Sequence, residues 1–220
     1  MPINSVICLD IESGGLNPAK NPITQIAYQA FELDNYKPIL EFSTYVQPYA
    51  NLELEDAAMK YTNITYAQLA NGMDSKSVVK KMCEDFANAN TAKTHTKKPI
   101  LLGHNIGFDI GFIQYLFVMQ KVDLGKYLDT NKNYLGQEVP KYYDTLLLAK
   151  QKWADDEKMI KYNLTACCQK AGVEITDAHH AMNDVKATKE LFFYLTNTLR
   201  SNKASEGNTE HTRVRNHFKF

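Results

Sequence analysis

Val6-Ile7-Cys8-Leu9-Asp10-Ile11-Glu12 is an unbroken apolar run that leads straight into two acids. Such a run suits a central strand covered on both faces, whereas a strand with one wet face alternates apolar and polar residues. Asp10 and Glu12 stand two apart at the strand's end, so the strand period of two puts both carboxylates on one face. Two acids so placed repel each other and are costly to desolvate, and something must offset that cost. Taken alone, a D-x-E pair is also what a solvated strand end entering a turn looks like. Ser13-Gly14-Gly15 and Asn17-Pro18 supply such a turn.

Working outward, strand-like stretches fall at about 23–34 and 38–47, and short helical pieces over 54–71. Residues 75–90 read as a polar-faced helix opened by Ser75. Pro99-Ile100-Leu101-Leu102-Gly103-His104 is a second apolar strand, with a helix starting near Asp109. Residues 144–156 and 162–171 read as helices, the latter with Gly172 as C-cap. A last helix runs over about 181–200, where Val185, Thr188, Phe192, Leu195 and Leu199 step by three and four along one face. Three strands, then helix, strand and helices, describe one α/β layered domain over residues 1–200. From Ser201 the chain turns polar. Lys203, Arg213, Arg215 and Lys219 outnumber Glu206 and Glu210, and apolar periodicity is lacking up to Phe218 and Phe220. Residues 201–220 are therefore expected to be a disordered tail.

The chain of 220 residues, 44% hydrophobic, is long enough to bury a substantial core in one domain. Lys+Arg and Asp+Glu balance at 25 each, so no global field draws it onto a polyanion as a stable duplex binder would be drawn. Cys8, Cys83, Cys167 and Cys168 have neither zinc-pair nor disulfide-framework spacing and are expected as free thiols in a reducing compartment. With no signal-peptide pattern and no run of ~20 apolar residues, the expected setting is soluble and cytoplasmic. Lys76, Lys80 and Lys81, followed by Lys93, Lys97 and Lys98, read first as a solvated face.

Two other acids occupy positions like those of the first pair. Asp109 ends Gly103-His104-Asn105-Ile106-Gly107-Phe108-Asp109, where a strand runs into a helix start. Asp184 ends His179-His180-Ala181-Met182-Asn183-Asp184 at the mouth of the last helix. Each alone is explained by the helix dipole, which favours an acid in the first turn. Together, four acids from three separate segments, each at an element's end, suit convergence around two cations. Magnesium prefers carboxylate oxygens and retains exchangeable waters. Two such ions can stabilise the attacking and leaving oxygens of phosphodiester hydrolysis. Histidine has the unperturbed pKa needed to take a proton from the attacking water.

At this point the chain resembles the DEDDh 3′→5′ exonucleases, the group of the bacterial polymerase III proofreading subunit and ribonuclease T. The resemblance covers about residues 3–198. It rests on Asp10-Ile11-Glu12-Ser13-Gly14-Gly15-Leu16, on His104-Asn105-Ile106-Gly107-Phe108-Asp109 and on His179-x-Ala181-x-x-Asp184. Tyr143-Asp144-Thr145-Leu146 is similar to the family's D-T-L segment, and Thr62-Asn63-Ile64-Thr65 to its G-I-T turn with Asn in place of Gly. The resemblance implies a ribonuclease H-like fold, a five-stranded mixed sheet flanked by helices. It assigns Asp10, Glu12, Asp109 and Asp184 to two Mg2+ ions, with Mn2+ as a substitute, and His179 to the general base. His180 is the rival base. The sister DEDDy group carries a tyrosine at that offset, and only His179 has the DEDDh spacing.

The resemblance further places Ser13, Gly15, Leu16, Tyr61, Asn105 and Phe108 around the terminal nucleotide, with Phe108 stacking and Leu16 as a wedge. Ser-Gly-Gly departs from the Thr-Thr-Gly or Thr-Ala-Gly of many relatives, which puts a side-chain contact from position 14 in doubt. The implied activity is hydrolysis of single-stranded 3′ ends, DNA before RNA, to nucleoside 5′-monophosphates, with a polymerase or replication protein as partner. RNA 3′-end trimming is the alternative. A non-catalytic nucleic-acid-binding module is the alternative of another class, opposed by the retention of costly clustered acids.

Overall fold

The computed structural model describes residues 5–90, 98–175 and 180–201. β1 (Ser5–Ser13), β2 (Ile23–Glu32) and β3 (Pro38–Tyr45) form an antiparallel meander. α1 (Asp56–Thr62), α2 (Tyr66–Ala70) and α3 (Ser75–Asn88) follow. β4 (Ile100–Gly103) then lies parallel to β1 and leads into α4 (Gly107–Met119). β5 (Thr130–Lys132) and β6 (Glu138–Pro140) make a separate hairpin. β7 (Tyr142–Asp144) pairs parallel with β4, and α5 (Thr145–Lys152), α6 (Leu164–Ala171) and α7 (Ala181–Ser201) complete the chain. The main sheet is five-stranded and mixed, in the order β3-β2-β1-β4-β7, as the resemblance implies.

β1 lies at the centre, which explains its continuous apolar run. Ile7, Leu9 and Ile11 point to one side, where Val78, Val79, Met82 and Phe86 of α3 and Ile113, Leu116 and Phe117 of α4 enclose them. Val6 and Cys8 point to the other, against Ala181, Val185 and Phe192 of α7. At ~25 cal/mol per Å2 of apolar surface removed from water, these two layers are the fold's main stabilisation. A third cluster joins α5, α6 and α7 through Ala149, Trp153, Cys167, Cys168, Leu191 and Leu195. Val185, Thr188, Phe192 and Leu195 of the predicted α7 stripe are all buried. The four cysteines are free. Among the described residues no helix is long and apolar enough to cross a membrane.

Several boundaries differ from the sequence expectation for local reasons. α3 opens on Ser75 as expected but stops at Asn88, short of 90, and Asp74 caps it, its carboxylate accepting from Lys76 and Ser77 N–H. Asp144 is a cap outside α5, which stops at Lys152, short of the expected 156. β7 and the β5–β6 hairpin are three-residue strands, too short and polar for a period of two to register. Asn63, standing where the family has Gly, adopts φ 55° as the left-handed cap of α1, a conformation Asn tolerates. Of the expected tail, Ser201 closes α7; residues 202–220 lie outside the described residues, as do Lys93 and Lys97.

Candidate active site

Asp10 and Glu12 emerge on the α7 side of β1, and Asp184 sits in the first turn of α7. Each offers one carboxylate oxygen within 4.8 Å of the other two. Asp109, buried in the first turn of α4, lies outside that triplet. Its Oδ1 accepts the N–H of Ile11 at 2.9 Å, which ties α4 to the backbone between the two β1 acids.

Burial and mutual repulsion leave these groups poorly suited to carrying charge without help. Burial pushes the Asp10 carboxyl well above the usual range, and Asp109, Asp184 and Glu12 push in the same direction. Glu12 is pushed up to about 8, by burial first and then by Asp184 and Asp109. Asp109 is pushed up to about 7 by burial, with the Ile11 N–H pulling the other way. None of the ion pairs among the described residues reaches Asp10, Glu12 or Asp109. All-oxygen donors with unspent negative charge fit a hard divalent cation.

Beside the acids lies a cleft of about 610 Å3, lined by Ile11, Glu12, Leu16, Tyr61, Asn105 and Phe108 among others. Ser13 and Gly15 also line it, so the six expected substrate contacts share one cavity with Glu12 of the acid cluster. Leu16 is 82% exposed and Tyr61 65%, a large apolar surface left open at the cleft. Phe108 packs on Phe112, ring centroids 4.9 Å apart, which leaves it partly buried. The Ser13 hydroxyl donates to the Gly15 carbonyl at 2.6 Å and so stiffens its own turn. Gly14 is fitted through its backbone: its N–H reaches Pro22 O, its carbonyl accepts from Glu55, and a Cβ there would stand 2.7 Å from Leu54 Cδ2.

Three further residues support the site: Asp144 belongs to the D-T-L segment, whereas Asn21 and Gln25 stand in no quoted motif. Asn21, 1% exposed, accepts from Asn17 N–H and donates to Glu53 O and Glu55 Oε1, riveting the first turn to the entry of α1. Asp144 Oδ1 accepts from both Leu146 and Asn105 N–H at 2.9 Å, holding Asn105 at φ 62° on the cleft wall. Gln25, opposite Glu12 in the β1–β2 register and 2% exposed, accepts the Ala181 N–H at 3.1 Å. Its Nε2 lies 3.2 Å from His180 Nε2. A polar residue inside the apolar run Ile23–Phe31 is the one available sequence sign for Gln25. His104 bridges Thr145 Oγ1 and Tyr162 O at 2.9 and 2.8 Å, and burial keeps its pKa below the usual value, which favours a neutral structural link. His179 lies outside the described residues.

A β3-β2-β1-β4-β7 sheet with acids clustered at the end of its central strand, open to an apolar-walled cleft, is the architecture of the ribonuclease H-like class. The RNase T-type exonuclease family model matches residues 7–192. The chain belongs to that family, in its DEDDh 3′→5′ branch. It is 30% identical over 186 residues to the PolC-type DNA polymerase III of Clostridium perfringens, a match spanning 84% of this chain and 11% of that protein. E. coli exonuclease I in complex with a dT13 oligonucleotide shares the fold at TM-score 0.70 and 19% identity, over 93% of this chain and 44% of that one. The zinc-bound E. coli exonuclease I–single-stranded DNA complex does so at TM-score 0.71 and 20% identity, over 91% and 42%. This chain therefore spans a tenth of the polymerase and under half of the exonuclease I chains.

Proposed function

We propose that this chain hydrolyses single-stranded DNA from the 3′ end, releasing nucleoside 5′-monophosphates. The observation that carries the reading is the convergence of Asp10, Glu12 and Asp184 within 4.8 Å, with Glu12 also forming the wall of the cleft. Asp10, Glu12, Asp109 and Asp184 would hold two divalent cations, magnesium by donor chemistry, with manganese as a substitute. Bound there, the cations would supply charge stabilisation to the attacking and leaving oxygens of the phosphodiester.

The chain's own residues do the rest. Phe108 stacks the terminal base, and such contacts are worth about 1–3 kcal/mol each without demanding a sequence. Leu16 and Tyr61 separate that base from its neighbour, while Asn105 and the backbone of Ser13 and Gly15 hold the terminal sugar. His179 takes the proton of the attacking water at its imidazole. The water oxygen bonds to phosphorus, the bond to the 3′ oxygen of the preceding nucleotide breaks, and that oxygen takes a proton from solvent to become the new 3′ hydroxyl. The PolC-type relative and the oligonucleotide complexes of exonuclease I support DNA over RNA, and the former supports work beside a polymerase.

Matched DNA and RNA oligonucleotides, single- and double-stranded, labelled at the 5′ end, test the reading. The expected result is a ladder shortening from the 3′ end in magnesium, fastest on single-stranded DNA and blocked by a 3′-phosphate. Cleavage from the 5′ end, or equal rates with and without the 3′-phosphate, would contradict it.

A further inference from the structure

Gln25 stands on β2 directly across from Glu12, yet both polar ends of its side chain turn to the start of α7. The Ala181 N–H is a donor and nothing else, so the Gln25 atom 3.1 Å from it is the carbonyl oxygen. That choice leaves the Gln25 amino group facing His180 Nε2 at 3.2 Å. A donor must meet an acceptor, so His180 Nε2 presents its lone pair and the ring proton resides on Nδ1. Nδ1 is buried and has no hydrogen-bond partner among the described residues. His180 O in turn accepts from Asn183 N–H at 2.8 Å and Asp184 N–H at 3.2 Å, which closes the first turn of α7 around the metal-site acid.

We infer that Gln25 is a positioning residue: it caps α7 from the neighbouring strand and holds His180 as the neutral Nδ1–H tautomer with its Nε2 lone pair occupied. Two consequences follow for the reaction, and both rest on the nuclease reading above. The Asp184 carboxylate is referenced to β2 through Gln25, so it keeps register with Glu12 on the adjoining strand. His180 is withheld from proton transfer, which leaves that task to the residue before it in the chain. The need for a buried polar side chain at position 25, one strand away from the acids, is thereby accounted for.

The test uses the full chain, 15N-labelled at histidine, with the His180 resonances assigned by comparison with a His180→Asn variant. Wild-type protein should show His180 protonated at Nδ1 with Nε2 bare. Gln25→Met removes both contacts and should shift His180 toward the Nε2–H tautomer that imidazole prefers in water. It should lower kcat by about 10- to 100-fold, the scale of a small misplacement of catalytic groups, with KM little changed. Gln25→Glu keeps an acceptor for the Ala181 N–H and should restore most of the turnover, while its second oxygen draws a proton onto His180 Nε2. A wild-type His180 protonated at Nε2, or a folded Gln25→Met protein with unchanged tautomer and kcat, would overturn the inference. An inactive wild type with the expected tautomer would instead sink the nuclease reading and leave the Gln25–His180 contact standing.

Discussion

Two sets of carboxylates in this molecule, one buried and one buried to half-buried, are treated in opposite ways. Asp85 on α3 is 4% exposed, and its charge is met from within: the Tyr28 hydroxyl donates to it at 2.6 Å and Lys81 Nζ at 2.7 Å. Lys81 also lies over the Phe42 ring, so the pair is knit into the layer between α3 and the sheet. At the end of β1 Asp109 accepts the Ile11 N–H, but the charged groups around Asp10, Glu12 and Asp109 are other acids, and no ion pair among the described residues reaches them. A carboxylate whose purpose is structural is satisfied by the fold, whereas a cluster left in mutual repulsion is, on the function proposed above, kept for a cation from outside.

The largest effect that would break this contrast is on catalysis. Asp10→Asn should abolish hydrolysis while the metal-free protein stays as stable as wild type or becomes more so, because it relieves repulsion. Thermal unfolding and a digestion assay on the same sample check both halves, and near-wild-type turnover in magnesium would end the assignment. His179→Ala should lower turnover by roughly 10²–10⁴-fold with substrate affinity much less changed, and His180→Ala far less. Single-turnover rates on the two variants decide the register, and the opposite ranking would reverse it.

Asp85→Ala should show the converse pattern, with turnover retained and unfolding free energy lowered by about 1–3 kcal/mol, mainly from the buried Tyr28 hydroxyl left without its acceptor. Lys81 is 41% exposed and can turn to water, so its share of that loss is small. Denaturant titration measures it.

A smaller effect is in the pH dependence of the metal-free protein. Glu12 near 8 and Asp109 near 7 in the folded state stand above their unfolded values of about 4, so the native state binds more protons between those limits. Stability should therefore fall as pH rises through that window. Saturating magnesium should flatten or reverse the fall, since the cation favours the deprotonated acids. A metal-free stability that climbs from pH 5 to pH 8 would show that the cluster is compensated by other means.

Much of this site is legible in the sequence because its parts sit at element ends. The apolar run into Asp10 and Glu12, the strand-to-helix step at Asp109 and the helix mouth at Asp184 follow from local periodicity. What holds those parts in register is tertiary and leaves almost no local trace. The Asp144–Asn105 hydrogen bond spans 39 positions, and Gln25–His180 spans 155. The fifth strand, Tyr142–Asp144, is defined by its pairing with Leu101–Gly103, not by its own three residues.

The contrast between the two carboxylate sets is tested most directly by calorimetric titration of the metal-free protein with Mn2+ near pH 7, in two buffers of different ionisation enthalpy. Saturable binding with net proton release is predicted, because Glu12 and Asp109 must shed protons they hold without the cation. Asp10→Asn should weaken or abolish it. No saturable binding, or binding with no proton release and equal in the variant, would contradict the account.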